Sequence, residues 1–297
     1  MSDGRYHVLH GRKNASQGLM DIPKHKKARV GMVKYVNMAP IYEVWKRTIR
    51  EEGWELIEAP PSALNRMLAA AEIDLGFVSA YEYCVRPKKY QILADLSISA
   101  NGPVGSVFLF SRLPVEELTG RTVLLSSQSE TSVWLVKIIL EEFFQVQPEY
   151  ISGEIFHAEN ISHTAILAIG DEALRLADRF PYRLDLGELW KKHTGLPFVF
   201  SLCVVREAFC AQDSLLVSMI HKEILRCRDE GRRDLIAICE LVAPRIPMTP
   251  QKCYEYLTAI EYDLGDRKKQ GVTKFFQYLI DRGVAKQDTL PLKIRSV

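Results

Sequence analysis

Strand-like and helix-like patterns alternate along the first two thirds of the chain, and the alternation halts and restarts once. "RVGMV", "APIYEVWKRTIREEG", "WELIEA", "PSALNRMLAAAE" and "IDLGFVSA" read strand, helix, strand, helix, strand, with the first helix ending at Gly53. That order implies parallel strands joined by crossover helices. One or two helical turns in "YEYCVRP" follow, then two β-prone runs, "YQILADLSISA" and "SVFLFSR", separated by "NGPVG". Near Arg112 the rhythm resets. A short helix, a strand over Thr122 to Leu125, a polar turn and an amphipathic helix from about Thr131 are expected next. Strands in "PEYISGE" and "TAILAI", a helix from near Asp171, a strand in "YRLD", an acid-started helix and a long apolar strand over Val199 to Val205 complete the pattern. From Glu207 onward the chain reads as helix, broken at Gly231, "APRIPMTP" and Gly265.

A restart, then a long apolar strand, then helices is the order expected of two lobes, in which the chain visits the second and returns to finish the first. The expectation is an α/β fold, each lobe a mixed, mainly parallel sheet flanked by helices, with a helical C-terminal region. Residues 29–112 and 204–297 would form lobe I, 113–203 lobe II, and 1–28 a mobile extension. At 297 residues the chain has the length of about two domains. Two-lobed bodies bind small ligands in the cleft between lobes, and closure excludes water.

Charge narrows the partners. The first 28 residues hold six basic and two acidic side chains, leaving 33 basic and 35 acidic in the body. A near-neutral body lacks the clustered basic face of a nucleic-acid binder. No apolar run approaches the roughly 20 residues that span a bilayer, so neither nucleic acid nor membrane is expected as a partner. The opening segment has no apolar core followed by a small-residue cleavage pattern, which favours the cytoplasm. Cys84, Cys203, Cys210, Cys227, Cys239 and Cys253 form no CxxC pair, and most sit in apolar or helical segments. They read as buried free thiols rather than metal ligands or disulfides.

Four polar turns follow predicted strands or open helices. Asn37 lies between the first strand and a helix with Pro40 at its expected first position. Asn is a favoured N-cap, yet a strand-to-helix turn of this kind also lies where ligands of α/β sheets bind. Gly102, Pro103 and Gly105 precede Ser106. Ser126, Ser127, Ser129, Thr131 and Ser132 lead into a helix whose exposed N–H groups, joined by hydroxyls, would hold a carboxylate without a cationic side chain. Capping alone also accounts for Ser129. Gly170 and Asp171 form the fourth turn, with Asp171 an expected N-cap. Asp185 reads as a structural carboxylate. His157 and His163, six residues apart, lack the spacing of a helical metal pair, and GxxxxGK[ST] is absent.

Six segments in order, "VGMVKYVNMAP", "AEIDLGFVSAYEY", "SISANGPVGSVFLFSR", "SETS", "AILAIGDEAL" and "LDLGELWKKHTGLPFVFSLCVV", resemble the chorismate dehydratase of the futalosine route to menaquinone. The likeness runs from about Arg29 into the C-terminal helices. It implies a fold like the type II periplasmic binding proteins and a cytoplasmic lyase that converts chorismate to 3-[(1-carboxyvinyl)oxy]benzoate and water. No metal or organic cofactor is implied, and the substrate's own enolpyruvyl carboxylate would take the proton. The family's active-site Asn and Ser match Asn37 and Ser106. With the turns above, the expected substrate-binding set is Tyr35, Ser79, Gly105, Ser129, Thr131, Ser132, Gly170 and Asp171.

Three rivals are weighed against this. A non-catalytic small-carboxylate receptor would carry an export signal. A transcription-regulator effector domain would follow a helix-turn-helix. The sister enzyme of the same route, acting on a cyclic dehypoxanthine nucleoside, would be expected to use a histidine base.

Overall fold

The computed structural model describes residues 27–51, 53–155, 163–176, 179–246 and 248–296; His157 and nearly all of the N-terminal extension lie outside them. Chain order runs β1 (Ala28–Met32), α1 (Ala39–Thr48), β2 (Trp54–Glu58), α2 (Pro61–Ala69), β3 (Leu75–Ser79), α3 (Ala80–Val85) and β4 (Tyr90–Ala100). Next come β5 (Val107–Ser111), β6 (Thr122–Ser126), α4 (Glu130–Ile138), β7 (Glu149–Gly153), β8 (Ala165–Ile169), α5 (Gly170–Leu176), β9 (Tyr182–Asp185) and α6 (Leu186–Thr194). The chain closes with β10 (Phe198–Arg206), α7 (Glu207–Gln212), α8 (Ser214–Arg233), α9 (Leu235–Val242), α10 (Pro250–Ala259), α11 (Asp266–Asp281) and β11 (Ile294–Arg295).

Two mixed sheets result, one ordered β11-β4-β10-β3-β1-β2 and the other β7-β6-β8-β5-β9. β1 is parallel to β2 and β3, and β6 is parallel to β7 and β8, as the strand–helix–strand pattern requires. β10 inserts antiparallel between β3 and β4, and β5 antiparallel between β8 and β9. Sheet membership therefore moves the crossovers. β5 belongs to the second sheet and β10 to the first, so the chain crosses before Val107 rather than at Arg112, and returns before Phe198 rather than at Cys203. Only ladder hydrogen bonds decide this, because β5 and β10 are apolar runs that could serve either core. Ala28, assigned above to the extension, is the first residue of β1.

Other boundaries differ for local reasons. α1 stops at Thr48, where Ile49 turns extended and the Arg50 guanidinium takes the free carbonyls of Lys46 and Arg47, so the helix does not reach Gly53. Pro40 is its second residue, not its first. Gly231 does not break a helix; α8 runs through it. There the helix crosses α1 so closely that a β-carbon on Gly231 would lie 1.9 Å from the Pro40 carbonyl oxygen. All six cysteines are free and buried. Among the described residues no helix is long and apolar enough to cross a membrane.

Candidate active site

The carboxyl ends of the parallel strands in both sheets open onto one cleft, the place where α/β sheets bind ligands. Antiparallel β5 begins at this edge, with Val107 opposite Ile169, and β10 passes it with Ser201 opposite Ser79. About 670 Å³ of space, part of it open to solvent, lies between the two walls. Tyr35, Asn37, Ser79, Ser106, Ser129, Ser132 and Gly170 all line it, although 135 positions separate the first from the last. Apolar neighbours such as Phe77, Ile98, Ile169 and Phe200 fill the space between these polar groups. Among the described residues, none that line it is Lys, Arg, His, Asp or Glu.

Asn37 sits in a short 3-10 turn before α1. Met38, not Asn37, is the N-cap of that helix, and no side chain caps it. The capping reading is thereby replaced. Asn37 is held by its backbone, whose carbonyl accepts from the Tyr262 hydroxyl at 2.8 Å. Its side-chain Oδ1 is buried and has no hydrogen-bond partner among the described residues. Buried polar atoms are nearly always paired, and an exception in a cleft points to a ligand.

Ser106 stands just before β5. Its carbonyl accepts from Gly170 N–H at 2.7 Å, and its Oγ accepts from the Tyr256 hydroxyl at 2.8 Å. The turn leading to it hangs on Asp185, whose carboxylate accepts from the N–H groups of Val104 (3.0 Å), Gly105 (2.7 Å) and Glu188 (3.1 Å). Burial raises the Asp185 carboxyl above its ordinary range. Asp185 is thus a structural carboxylate that caps α6 and braces the Ser106 turn together.

Ser129 does cap α4, accepting from Ser132 N–H at 3.3 Å, and it also lines the cleft with Ser132, so both readings of that turn hold. Thr131 faces elsewhere, accepting from Tyr81 N–H at 2.9 Å as a strut between α3 and α4. Asp171 is no N-cap; it is inside α5 and accepts from Val36 N–H at 3.4 Å. Gly105 lies against the Tyr256 ring on the far side of its turn. These three expected binding residues support the cleft wall without lining it.

Tyr35 donates to the Gln128 side-chain oxygen, and Gln128 Nε2 donates to Glu172 Oε1 at 2.8 Å, a chain that ties the end of β1 to the second sheet. Burial pushes the Tyr35 phenol and the Asp171 and Glu172 carboxyls upward. Ser79 accepts from Asn65 Nδ2 at 2.8 Å, leaving its proton free. Ser201 donates to the Val78 carbonyl at 2.6 Å and presents lone pairs instead. Sequence reasoning missed Gln128, Ser201 and Tyr256. A serine inside the apolar run "VFSLCVV" was a usable signal for Ser201; no local pattern marks Tyr256. Among the described residues no three His, Cys, Asp or Glu side chains converge.

A family model described as menaquinone biosynthesis matches residues 28–281. A chorismate dehydratase from Thermus thermophilus is 29% identical over 267 residues, covering 84% of this chain and 94% of that protein. Another from Campylobacter jejuni is 31% identical over 189 residues, covering 61% of this chain and 70% of its own length. Among solved structures, an alkanesulfonate-binding protein from Xanthomonas axonopodis pv. citri, bound to MOPS, superposes with a TM-score of 0.68 at 11% identity, over 91% of this chain and 98% of its own. That likeness concerns the fold, which is the two-lobed periplasmic-binding-protein type. With its family model spanning every strand but β11 and every cleft-lining segment, the chain belongs to the menaquinone-biosynthesis family.

Proposed function

We propose that this chain is a chorismate dehydratase, a hydro-lyase converting chorismate to 3-[(1-carboxyvinyl)oxy]benzoate and water. One observation carries the reading beyond family membership: among the described residues the cleft is lined only by neutral groups, and the buried Asn37 side-chain oxygen has no hydrogen-bond partner there. Such a lining suits a substrate that brings its own charges and its own base.

In this reading the C3 proton of chorismate passes to the enolpyruvyl carboxylate of the same molecule. The electron pair left at C3 spreads through the ring diene into the ring carboxylate, forming an extended enolate. The Ser132 hydroxyl, whose oxygen accepts from Ser129 Oγ at 3.1 Å and whose proton is thereby left for the substrate, holds that carboxylate at the N-terminus of α4 where charge accumulates, the kind of fixed donor that stabilises a developing oxyanion. The C4–O bond then breaks as the ring becomes aromatic, and the departing hydroxide recovers the proton and leaves as water. Ser106 donates to the departing oxygen, and Asn37 accepts a substrate hydroxyl and fixes its orientation. Tyr35 and Gly170 close the wall, and Ser79 offers a second donor. Six free buried thiols suit a reducing compartment, so we place the reaction in the cytoplasm.

Incubating the purified chain with chorismate tests the reading. An aromatic absorbance and a product lighter by one water are expected. Chorismate bound but recovered unchanged would leave a carboxylate receptor in place of an enzyme. Turnover of a cyclic dehypoxanthine nucleoside instead would assign the sister reaction.

A further inference from the structure

Ser106 Oγ has a partner that approaches from behind the cleft. Tyr256, on α10, is separated from it by 150 positions, and its hydroxyl lies 2.8 Å from Ser106 Oγ with both side chains buried. A phenol is a stronger acid than an alkyl alcohol, so in this pair the tyrosine donates and the serine oxygen accepts. The serine proton is then turned away from Tyr256, and the cleft is the open direction. The ring has a second hold on the same turn: at Gly105, with φ +72°, a β-carbon would stand 3.2 Å from Tyr256 Cδ2. Six residues later Tyr262 donates to the Asn37 carbonyl, so one segment of the C-terminal helical region backs both residues assigned to the chemistry.

We propose that Tyr256 is a positioning residue: its hydroxyl sets the Ser106 rotor so that the serine proton points at the substrate oxygen that departs. This rests on the dehydratase reading above. Burial raises the Tyr256 phenol, and the nearby Asp171 and Asp185 carboxylates add to the shift. The group therefore stays protonated and acts as a fixed donor, not as a proton source.

Tyr256→Phe removes one oxygen and keeps the ring, and a double-mutant cycle with Ser106→Ala reads the coupling. With chorismate as substrate, Tyr256→Phe is expected to lower kcat about tenfold with KM changed by less than about twofold. In the Ser106→Ala background the same change is expected to have no effect on kcat. An unaltered kcat in the single variant would overturn the proposal, as would equal losses in both backgrounds, since the tyrosine would then act independently of Ser106. If the wild-type chain does not convert chorismate, the functional reading fails and the proposal falls with it. Wild-type turnover with an unaffected Tyr256→Phe variant removes the proposal alone.

Discussion

The Tyr35 ring lies so close to Gly170 that a β-carbon on Gly170 would stand 3.0 Å from Tyr35 Cδ2, at a backbone φ of +54°. Tyr35 follows a strand of the first sheet and Gly170 opens a helix of the second, so this contact joins the cleft walls. Gly170→Ala meets both a ring and a left-handed backbone that L side chains rarely adopt. It is expected to cost ~1–2 kcal/mol of stability and to lower kcat/KM for chorismate at least about tenfold. Thermal unfolding and steady-state kinetics check the two effects separately.

Asn37→Ala is expected to separate function from stability. The unpaired Oδ1 gains the protein nothing when the cleft is empty, because a buried unsatisfied acceptor costs ~1–3 kcal/mol. Turnover should fall by more than a factor of ~10, while the unfolding midpoint holds or rises. A clear drop in that midpoint would show that Asn37 serves the fold.

Glu172 gives a pH signature. Its folded carboxyl is raised above the ordinary 4.5 by burial, with Glu154 adding to the shift. A carboxyl raised in this way binds its proton more tightly folded than unfolded, so its contribution is most favourable at acid pH and declines as pH climbs from 4.5 through the raised value. Glu172→Gln removes that titration. The variant's unfolding midpoint should gain on the wild type as pH rises above 4.5. Parallel curves would place the raised group elsewhere.

Gly231→Ala probes how α1, and with it the Asn37 turn, is seated. The added methyl would meet the Pro40 carbonyl at a distance no atom pair tolerates, so the α1–α8 crossing must open. A loss of ~2–3 kcal/mol is expected, read as a lower denaturant midpoint. An unchanged midpoint would mean that α8 can shift freely.

Much of the candidate site was legible because its signals are local. A polar turn after an apolar run marked Asn37, Ser106, Ser129 and Gly170, and each lies at the cleft. Thr131, Gly105 and Asp171 carry the same signals one position away, and adjacent residues on a helix or turn point in different directions. Their contacts with Tyr81, Tyr256 and Val36 come from parts of the chain that no neighbouring residue announces.

Periodicity and turn chemistry are properties of a few consecutive residues, so the sequence by itself determined the order of strands and helices, though not every boundary, which turns are polar, and that the rhythm restarts. Sheet membership, the seating of Gly231 against Pro40 and the pairing of Tyr256 with Ser106 were decided only by the tertiary structure. For β5 and β10, as for those two close pairs, the deciding hydrogen bonds or packing lie between residues more than 50 positions apart, and such contacts form only once the whole chain has chosen its register.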